Sequence, residues 1–214
     1  MALTYTTLMA DKSTEDSIKY FVRHSEVPSA SILTNSQALI YSKLRIREMK
    51  KLVSGVYIAS GASTITLPAD LQDPISLWLD REYKMRLRIF DEEHFEERVA
   101  RDENGDLYAG TPSQCTMDRT TAYLDVAADR DYYYRLWYYQ TPAALSDSNE
   151  TNFLTSRYPH ILEAACKFFA FKHREDDGNA SSWLEVMTGA IDLANGQHDQ
   201  FQQSIQHEMY WDQR

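Results

Sequence analysis

The most distinctive stretch of the sequence is one aromatic run, Tyr132-Tyr133-Tyr134-Arg135-Leu136-Trp137-Tyr138-Tyr139. Aromatic and β-branched residues favour strands, and a strand sends successive side chains to opposite faces of its sheet. The run therefore predicts a core strand whose alternate rings pack on either side of a sheet. A platform on which bases or sugars stack is the alternative that the same residues leave open.

The segments that precede this run predict a β-rich region around it. Residues 75–79, 83–89 and 121–126 have the composition of strands. Residues 83–89 alternate apolar and basic side chains strictly, which is typical of a half-buried strand. Residues 56–59 and 64–67 are separated by Gly61 and predict a hairpin. Together these segments predict an antiparallel sheet or a small β-barrel-like subdomain.

The flanking parts of the chain predict helices. Helical spacing of apolar residues begins near Ile18, continues from about 29 to 51, and returns after Pro159. Ser182 and Glu185 have capping-box spacing and predict a long last helix. The predicted fold class is α+β, with N- and C-terminal helices that form a helical bundle around an inserted β region. The predicted domains are residues 1–53, 54–142 and 143–214.

Five basic residues lie near the end of the helix predicted over 29–51. They are Lys43, Arg45, Arg47, Lys50 and Lys51. Cations at a helix C-terminus are favoured by the macrodipole, so a solvated helix end is one interpretation. A surface that faces DNA or another anion is the other interpretation.

Composition excludes several classes of function. The formal net charge is -10, which argues against a dedicated nucleic-acid binder. No phosphate-binding glycine motif and no metal-ligand spacing of His or Cys is present, so no cofactor is expected. The two cysteines, Cys115 and Cys166, are expected to be free and buried. Neither a targeting segment nor a membrane span is expected.

A set of turn and packing signals resembles a known family. The signals are Tyr138, Pro142, Leu145-Ser146-Asp147, Tyr158-Pro159, Ala164-Ala165 and Trp183, with Thr4-Tyr5-Thr6-Thr7-Leu8 and Leu44-Arg45-Ile46-Arg47-Glu48-Met49 near the N-terminus. In this order they resemble the head-to-tail adaptor (connector or neck) proteins of tailed bacteriophages. The likeness covers most of the chain, and each signal concerns packing or turns, not chemistry.

The resemblance implies a non-enzymatic structural protein of the virion neck that is made in the host cytoplasm. It implies a homo-oligomer, a dodecameric ring beneath the portal protein, which extends the DNA channel close to packaged DNA and carries a downstream tail or nozzle protein. By the same likeness, the C-terminal end would contact the portal through Ile205, Met209, Tyr210 and Trp211.

Two alternatives remain open from the sequence. Some adaptors of short-tailed phages resemble this chain and are credited with a muramidase-like cleavage of cell-wall glycan. The 32 Asp and Glu residues supply many carboxyl pairs for such a reaction, and sequence does not choose among them. The other alternative is a DNA-channel-binding module that uses the five basic residues.

Overall fold

The structure is a computed structural model that describes residues 3–24, 26–80, 84–99 and 101–211, with side chains described up to residue 200. The chain forms two compact units. One, called the helical unit here, combines Met1–Glu48 with Pro142–Arg214, and the other, called the sheet unit, is Met49–Thr141. The helices are α1 (Tyr5–Met9), α2 (Ile18–Val22), α3 (Ser29–Lys43), α4 (Glu92–Glu96), α5 (Phe153–Arg157), α6 (Pro159–His173) and α7 (Asp177–Trp211).

The strands lie between α3 and α5. They are β1 (Lys50–Ile58), β2 (Thr64–Thr66), β3 (Leu71–Asp80), β4 (Met85–Phe90), β5 (Ala109–Gly110), β6 (Gln114–Met117), β7 (Thr121–Leu124), β8 (Ala127–Ala128) and β9 (Tyr132–Gln140). Seven of them form one sheet in the order β1-β9-β3-β4-β6-β7-β2, and β5 pairs with β8 separately. The α+β class is confirmed, whereas the arrangement of the terminal helices as a bundle stays a prediction.

The aromatic run forms β9, which lies between β1 and β3. Its side chains alternate, with Tyr132, Tyr134, Leu136 and Tyr138 buried in the core of the sheet unit. The intervening Tyr133 and Trp137 are exposed. The prediction of a core strand is therefore confirmed, but this core covers only one face of β9.

The sheet departs from the prediction in two places. The predicted hairpin is wrong, because β1 pairs with β9 and β2 pairs with β7. The sheet is also not wholly antiparallel, since β4 and β6 run parallel. Parallel neighbours need a crossover, and residues 91–113, which include α4, supply it. Tyr83 of the predicted strand 83–89 lies outside the described residues, and the remainder overlaps β4, which extends one residue further to Phe90.

Helix α3 ends at Lys43, eight residues before the predicted end at 51. The backbone is extended at Leu44, the residue that follows the helix. The side chains of Leu44 and Ile46 are almost completely buried, at 0% and 1% exposure. Burial at alternate positions is the period of extended chain, and it overrides the helical spacing that predicted a longer helix. The strand β1 then begins at Lys50.

In the helical unit, α6 packs against α2, α3, α5 and α7. It begins at Pro159, as predicted. Helix α7 begins at Asp177, before the predicted cap at Ser182, because the carboxylate of Asp176 accepts the backbone N–H of Asn179 at 3.2 Å. That hydrogen bond satisfies a donor that helix formation leaves without a helical partner.

The Tyr138 hydroxyl supports a prediction about the sheet unit. It donates to Asp70 at 2.8 Å, and Lys51 Nζ lies 2.6 Å from the other Asp70 oxygen. We expect Tyr138→Phe to lower the free energy of unfolding by about 1 kcal/mol near pH 7, measured by urea denaturation. Tyr133→Phe, on the exposed face of the same strand, is the matched control, and an equal loss in both variants would contradict the assignment.

The effect of Tyr138→Phe should depend on pH. Burial opposes ionisation of Asp70, but the hydrogen bonds from Lys51 and Tyr138 outweigh it and lower the pKa of Asp70 below 3.8. A carboxyl group whose pKa is lowered by folding stabilises the folded state at pH values above its pKa in the unfolded chain. This stabilisation disappears as the pH falls through its pKa in the folded chain. The difference between the wild-type chain and Tyr138→Phe should therefore shrink in strongly acidic buffer.

Candidate interaction surfaces

Helix α7 is held in place by polar contacts as well as by apolar burial. Asn195 accepts the Arg45 backbone N–H at 2.8 Å and donates to the Lys43 carbonyl at 3.1 Å. These bonds occupy backbone groups at the end of α3, where helical partners are missing. One face of α7 is buried through Ala180, Met187, Ile191, Ala194 and His198. The position of the helix in its unit is thus fixed on one side.

The other side of α7 is exposed and carries large apolar side chains. Val186 is 53% exposed and Leu193 is 64% exposed, one heptad apart. The helix has 35 residues, or about 50 Å at 1.5 Å per residue, and it ends at Trp211. Its last turns include Ile205, Met209, Tyr210 and Trp211, whose side chains lie outside the described part. The role assigned to these four residues stays a prediction.

The sheet unit exposes an aromatic surface on β1 and β9. Trp137 is 42% exposed and lies opposite Leu52 in the strand register, and Tyr133 is 50% exposed and lies opposite Tyr57. The Tyr57 and Tyr133 rings meet edge to face with centroids 5.9 Å apart. Between the two pairs, Arg135 forms an ion pair with Asp80. Contiguous exposed apolar and aromatic side chains, with an arginine among them, are typical of interaction surfaces.

Sequence reasoning missed both exposed surfaces. It predicted that the rings of the aromatic run pack on both sides of the sheet, with a stacking platform as the alternative, whereas a strand with one covered face must expose every second ring. On α7 it followed the buried spacing and passed over Val186 and Leu193. The signal that could have found these surfaces is a second set of apolar residues, recurring at the spacing of the element on its opposite side.

The five basic residues do not share one helix face. Lys43, Arg45 and Arg47 lie in the helical unit, and Lys50 and Lys51 lie in β1 of the sheet unit. The Arg45 guanidinium donates to the carbonyls of Tyr41 and Leu44 at 2.9 and 2.7 Å, so it supplies hydrogen bonds to carbonyl groups at the end of α3. Lys51 pairs with Asp70. Their assignment to an anion-facing surface stays a prediction.

Among the described carboxyl groups whose pKa is clearly shifted, none is a candidate general acid. All of these carboxyl pKa values are lowered, namely those of Asp70, Asp91, Asp118, Asp129, Glu150 and Asp176. Hydrogen bonds to the ionised form are the cause, and in Asp118 the largest is from the Thr120 backbone N–H. Glycoside hydrolysis needs one carboxyl group with a raised pKa.

A cavity of about 540 Å³ lies in the sheet unit beside α4. Its wall includes Phe95 and Leu124, and its rim includes Glu92, Glu96 and Asp118. The described residues contain no group of three or more His, Cys, Asp or Glu side chains arranged to hold a metal ion. Nor does any described helix combine the length and the apolar character needed to cross a membrane.

The whole chain was compared with known proteins. A family model described as the SU10 adaptor protein matches residues 4–207. The chain belongs to this family. Membership points to a phage structural adaptor located in the virion, and it confirms the resemblance of the sequence at that level. No curated protein matches the chain.

The two cysteines of the adaptor are buried packing residues, as the sequence predicted. Burial raises the pKa of both the Cys115 and Cys166 thiols to about 12, and the thiolate is the reactive form. We expect neither to react with an aromatic disulfide reagent near pH 8 until urea unfolds the chain, when 2 thiols should be released to titration. Tyr108→Cys, at a side chain that is 54% exposed, is the control that should react in the native state. Rapid labelling of the native wild-type chain would contradict this result.

Proposed function

We propose that the chain is the head-to-tail adaptor of its phage, a non-enzymatic ring protein located between the portal and the tail. The observation that carries the proposal is family membership over residues 4–207, nearly the whole chain. In this proposal, copies join into a ring beneath the portal, extend the DNA channel, and present a platform for the next tail or nozzle protein. The ring is dodecameric by likeness to other adaptors, and it assembles in the host cytoplasm.

The surfaces support a role in assembly. Large apolar side chains are exposed at two places, the outer side of α7 and the outer face of β1 and β9. Such patches are unfavourable in water and become favourable when a partner covers them. A ring uses heterologous contacts, in which one surface of a copy meets a different surface of the next, so each copy needs at least two patches.

The charge of the chain supports a role as a conduit. A net charge of -10 opposes association of the chain with a polyanion. Affinity for duplex DNA depends on neutralisation of its phosphates and falls with added salt. An acidic channel wall therefore lies close to DNA without retaining it. The alternative of a DNA-binding module, using Lys43, Arg45, Arg47, Lys50 and Lys51, predicts instead a salt-dependent affinity of the isolated chain.

The absence of enzymatic activity is part of the proposal. We expect purified adaptor to release no soluble fragments from cell-wall glycan between about pH 4 and pH 8, the range in which carboxyl pairs act. The measurement is a turbidity and sugar-release assay with a glycan hydrolase as positive control. Release above the background of a heat-unfolded sample would establish the muramidase-like alternative.

The C-terminal end of α7 supplies the proposed contact with the portal. We expect truncation after Gln206 to abolish binding to the portal assembly of the same phage, because it removes Met209, Tyr210 and Trp211. Aromatic side chains of this kind commonly anchor interfaces. Binding is measured by co-sedimentation of the adaptor with portal rings.

The control for the truncation is the fold of the shortened chain. Its circular dichroism at 222 nm and its thermal midpoint should stay close to those of the full chain, because the truncation leaves in place the buried α7 residues from Ala180 to His198. A full-length variant with Met209, Tyr210 and Trp211 replaced by Ser should also fail to bind. Unchanged portal binding by either variant would place the contact elsewhere.

A further inference from the structure

The outer side of α7 is a continuous stripe. Its members, spaced alternately by four and three positions and all exposed, are Ser182, Val186, Gly189, Leu193, Gly196 and Gln200. The buried residues of α7 lie two positions before members of this stripe, for example Met187 before Gly189 and Ile191 before Leu193. Two positions correspond to about 200° of rotation, so the stripe faces away from the core of its own unit. The spacing is the one by which a helix packs along a second element.

The apolar members of the stripe are exposed to an unusual degree. Leu193, at 64%, is the most exposed large apolar side chain among the described residues, and Val186 follows the same line one heptad earlier. Burying a side chain of this size is worth about 1.5–3 kcal/mol. The stripe therefore offers free energy to a partner that the core of the helical unit does not use.

Two glycines flank Leu193 within the helix. Gly189 and Gly196 each disfavour helix by about 1 kcal/mol relative to Ala. A Cβ atom added at either position would meet no other atom within 4 Å, so no contact inside the chain requires a glycine there. A side chain as small as glycine on an exposed helix face allows another backbone to approach closely, since the distance between packed elements depends on the side chains between them.

The charges beside the stripe restrict what can cover it. Glu185, Asp192 and Asp199 lie one position before Val186, Leu193 and Gln200, and all three are exposed. They form an acidic row along one flank of the stripe. Two α7 stripes packed face to face and antiparallel would bring two such rows together, which like-charge repulsion disfavours.

The opposite flank of α7 lies beside two arginines that belong to other parts of the helical unit. Gln197 lies just beyond Leu193 on that side, and it lines a concavity of about 210 Å³ together with Arg47 and Arg157. Ile46 and Tyr158 form part of its apolar wall. Arg157 also pairs with Glu48, which fixes the guanidinium in the helical unit. One helix thus has an acidic flank on one side and, on the other, a concavity in which two arginines outnumber one glutamate, Glu48.

We infer that a second copy of this chain covers the stripe, in a head-to-tail contact between helical units. The acidic flank of one copy faces Arg47 and Arg157 of the next, and Val186 and Leu193 are buried between them. In this head-to-tail arrangement the contact is heterologous and repeats from copy to copy, as a ring requires. The inference rests on the proposed ring and names the surfaces that form it.

Exchanging the charges of Asp192 and Arg157 tests whether the acidic flank of one copy meets the arginines of the next. We expect Asp192→Lys alone and Arg157→Glu alone each to weaken association of copies, and the double variant Asp192→Lys with Arg157→Glu to regain most of it. Association is measured by sedimentation of the full chain, alone over a wide concentration range and after addition of portal rings. Failure of the double variant to recover, while both single variants are folded, would overturn the pairing of these flanks.

The apolar contact is tested by Leu193→Glu. We expect a loss of association of at least about tenfold, since tenfold corresponds to 1.4 kcal/mol and burial of a leucine is worth more. Tyr108→Glu, which changes an exposed apolar residue of the sheet unit in the same way, should leave association unchanged. Equal effects of the two variants, or no association of wild-type copies with or without portal, would overturn the inference.

The glycines give a test in which stability and association move in opposite directions. We expect Gly189→Ala to raise the thermal midpoint of the chain, because alanine favours helix and the added methyl group meets no atom. The same variant should weaken association, because the methyl group separates the copies. A variant that is more stable and associates as well as wild type would contradict close packing at this position.

These outcomes are separable from failure of the adaptor role. Incorporation into virions is measured independently, by the presence of the chain in purified particles. If the chain enters particles but its association is unchanged by the substitutions at Leu193, Asp192 and Arg157, the adaptor role holds and the copies use another contact. A chain that associates through these residues but is absent from particles loses the adaptor role and keeps the contact.

Discussion

The alternation of β9 constrains the sheet unit more than any other feature. A strand sends neighbouring side chains to opposite faces, so burial of Tyr134, Leu136 and Tyr138 forces Tyr133 and Trp137 to the outside. A shift of one residue in register would exchange these two sets. The pairing of β9 with both β1 and β3, and the bond from Tyr138 to Asp70, hold the register that keeps the aromatic surface outside.

The same geometric constraint operates in α7 with a different period. Its inward residues fill the core of the helical unit, and Asn195 ties it to the end of α3. The rotation of the helix is then fixed, and the stripe through Val186 and Leu193 has to face away from that core. In both units, packing on one side therefore presents apolar residues on the other. An adaptor protein needs such surfaces, because its function consists of contacts with neighbours.

The sequence predicted the local elements better than their pairing. Helix α6 was predicted at its start because Pro159 and the apolar residues after it are local signals, and β9 was predicted from its own composition. The hairpin of 56–59 with 64–67 was wrong, because the partners of both strands are distant in sequence. Helix α3 ended early because burial of Leu44 and Ile46 in extended chain outweighed helical spacing. The exposed surfaces were missed for a related reason, since exposure depends on what the rest of the chain leaves uncovered.

The acidity of the chain and its proposed self-association are compatible only if charge is arranged unevenly. Copies that each carry a net charge of -10 repel one another, and salt screens that repulsion at separations beyond the Debye length, about 8 Å at physiological ionic strength. At contact distance, the local pairing of Glu185, Asp192 and Asp199 with Arg47 and Arg157 decides the energy. Repulsion then disfavours disordered aggregates, in which acidic surfaces meet at random, while the one matched orientation remains favourable. In the proposed ring, the net charge thus adds specificity, and it also opposes tight binding of DNA by the proposed channel wall.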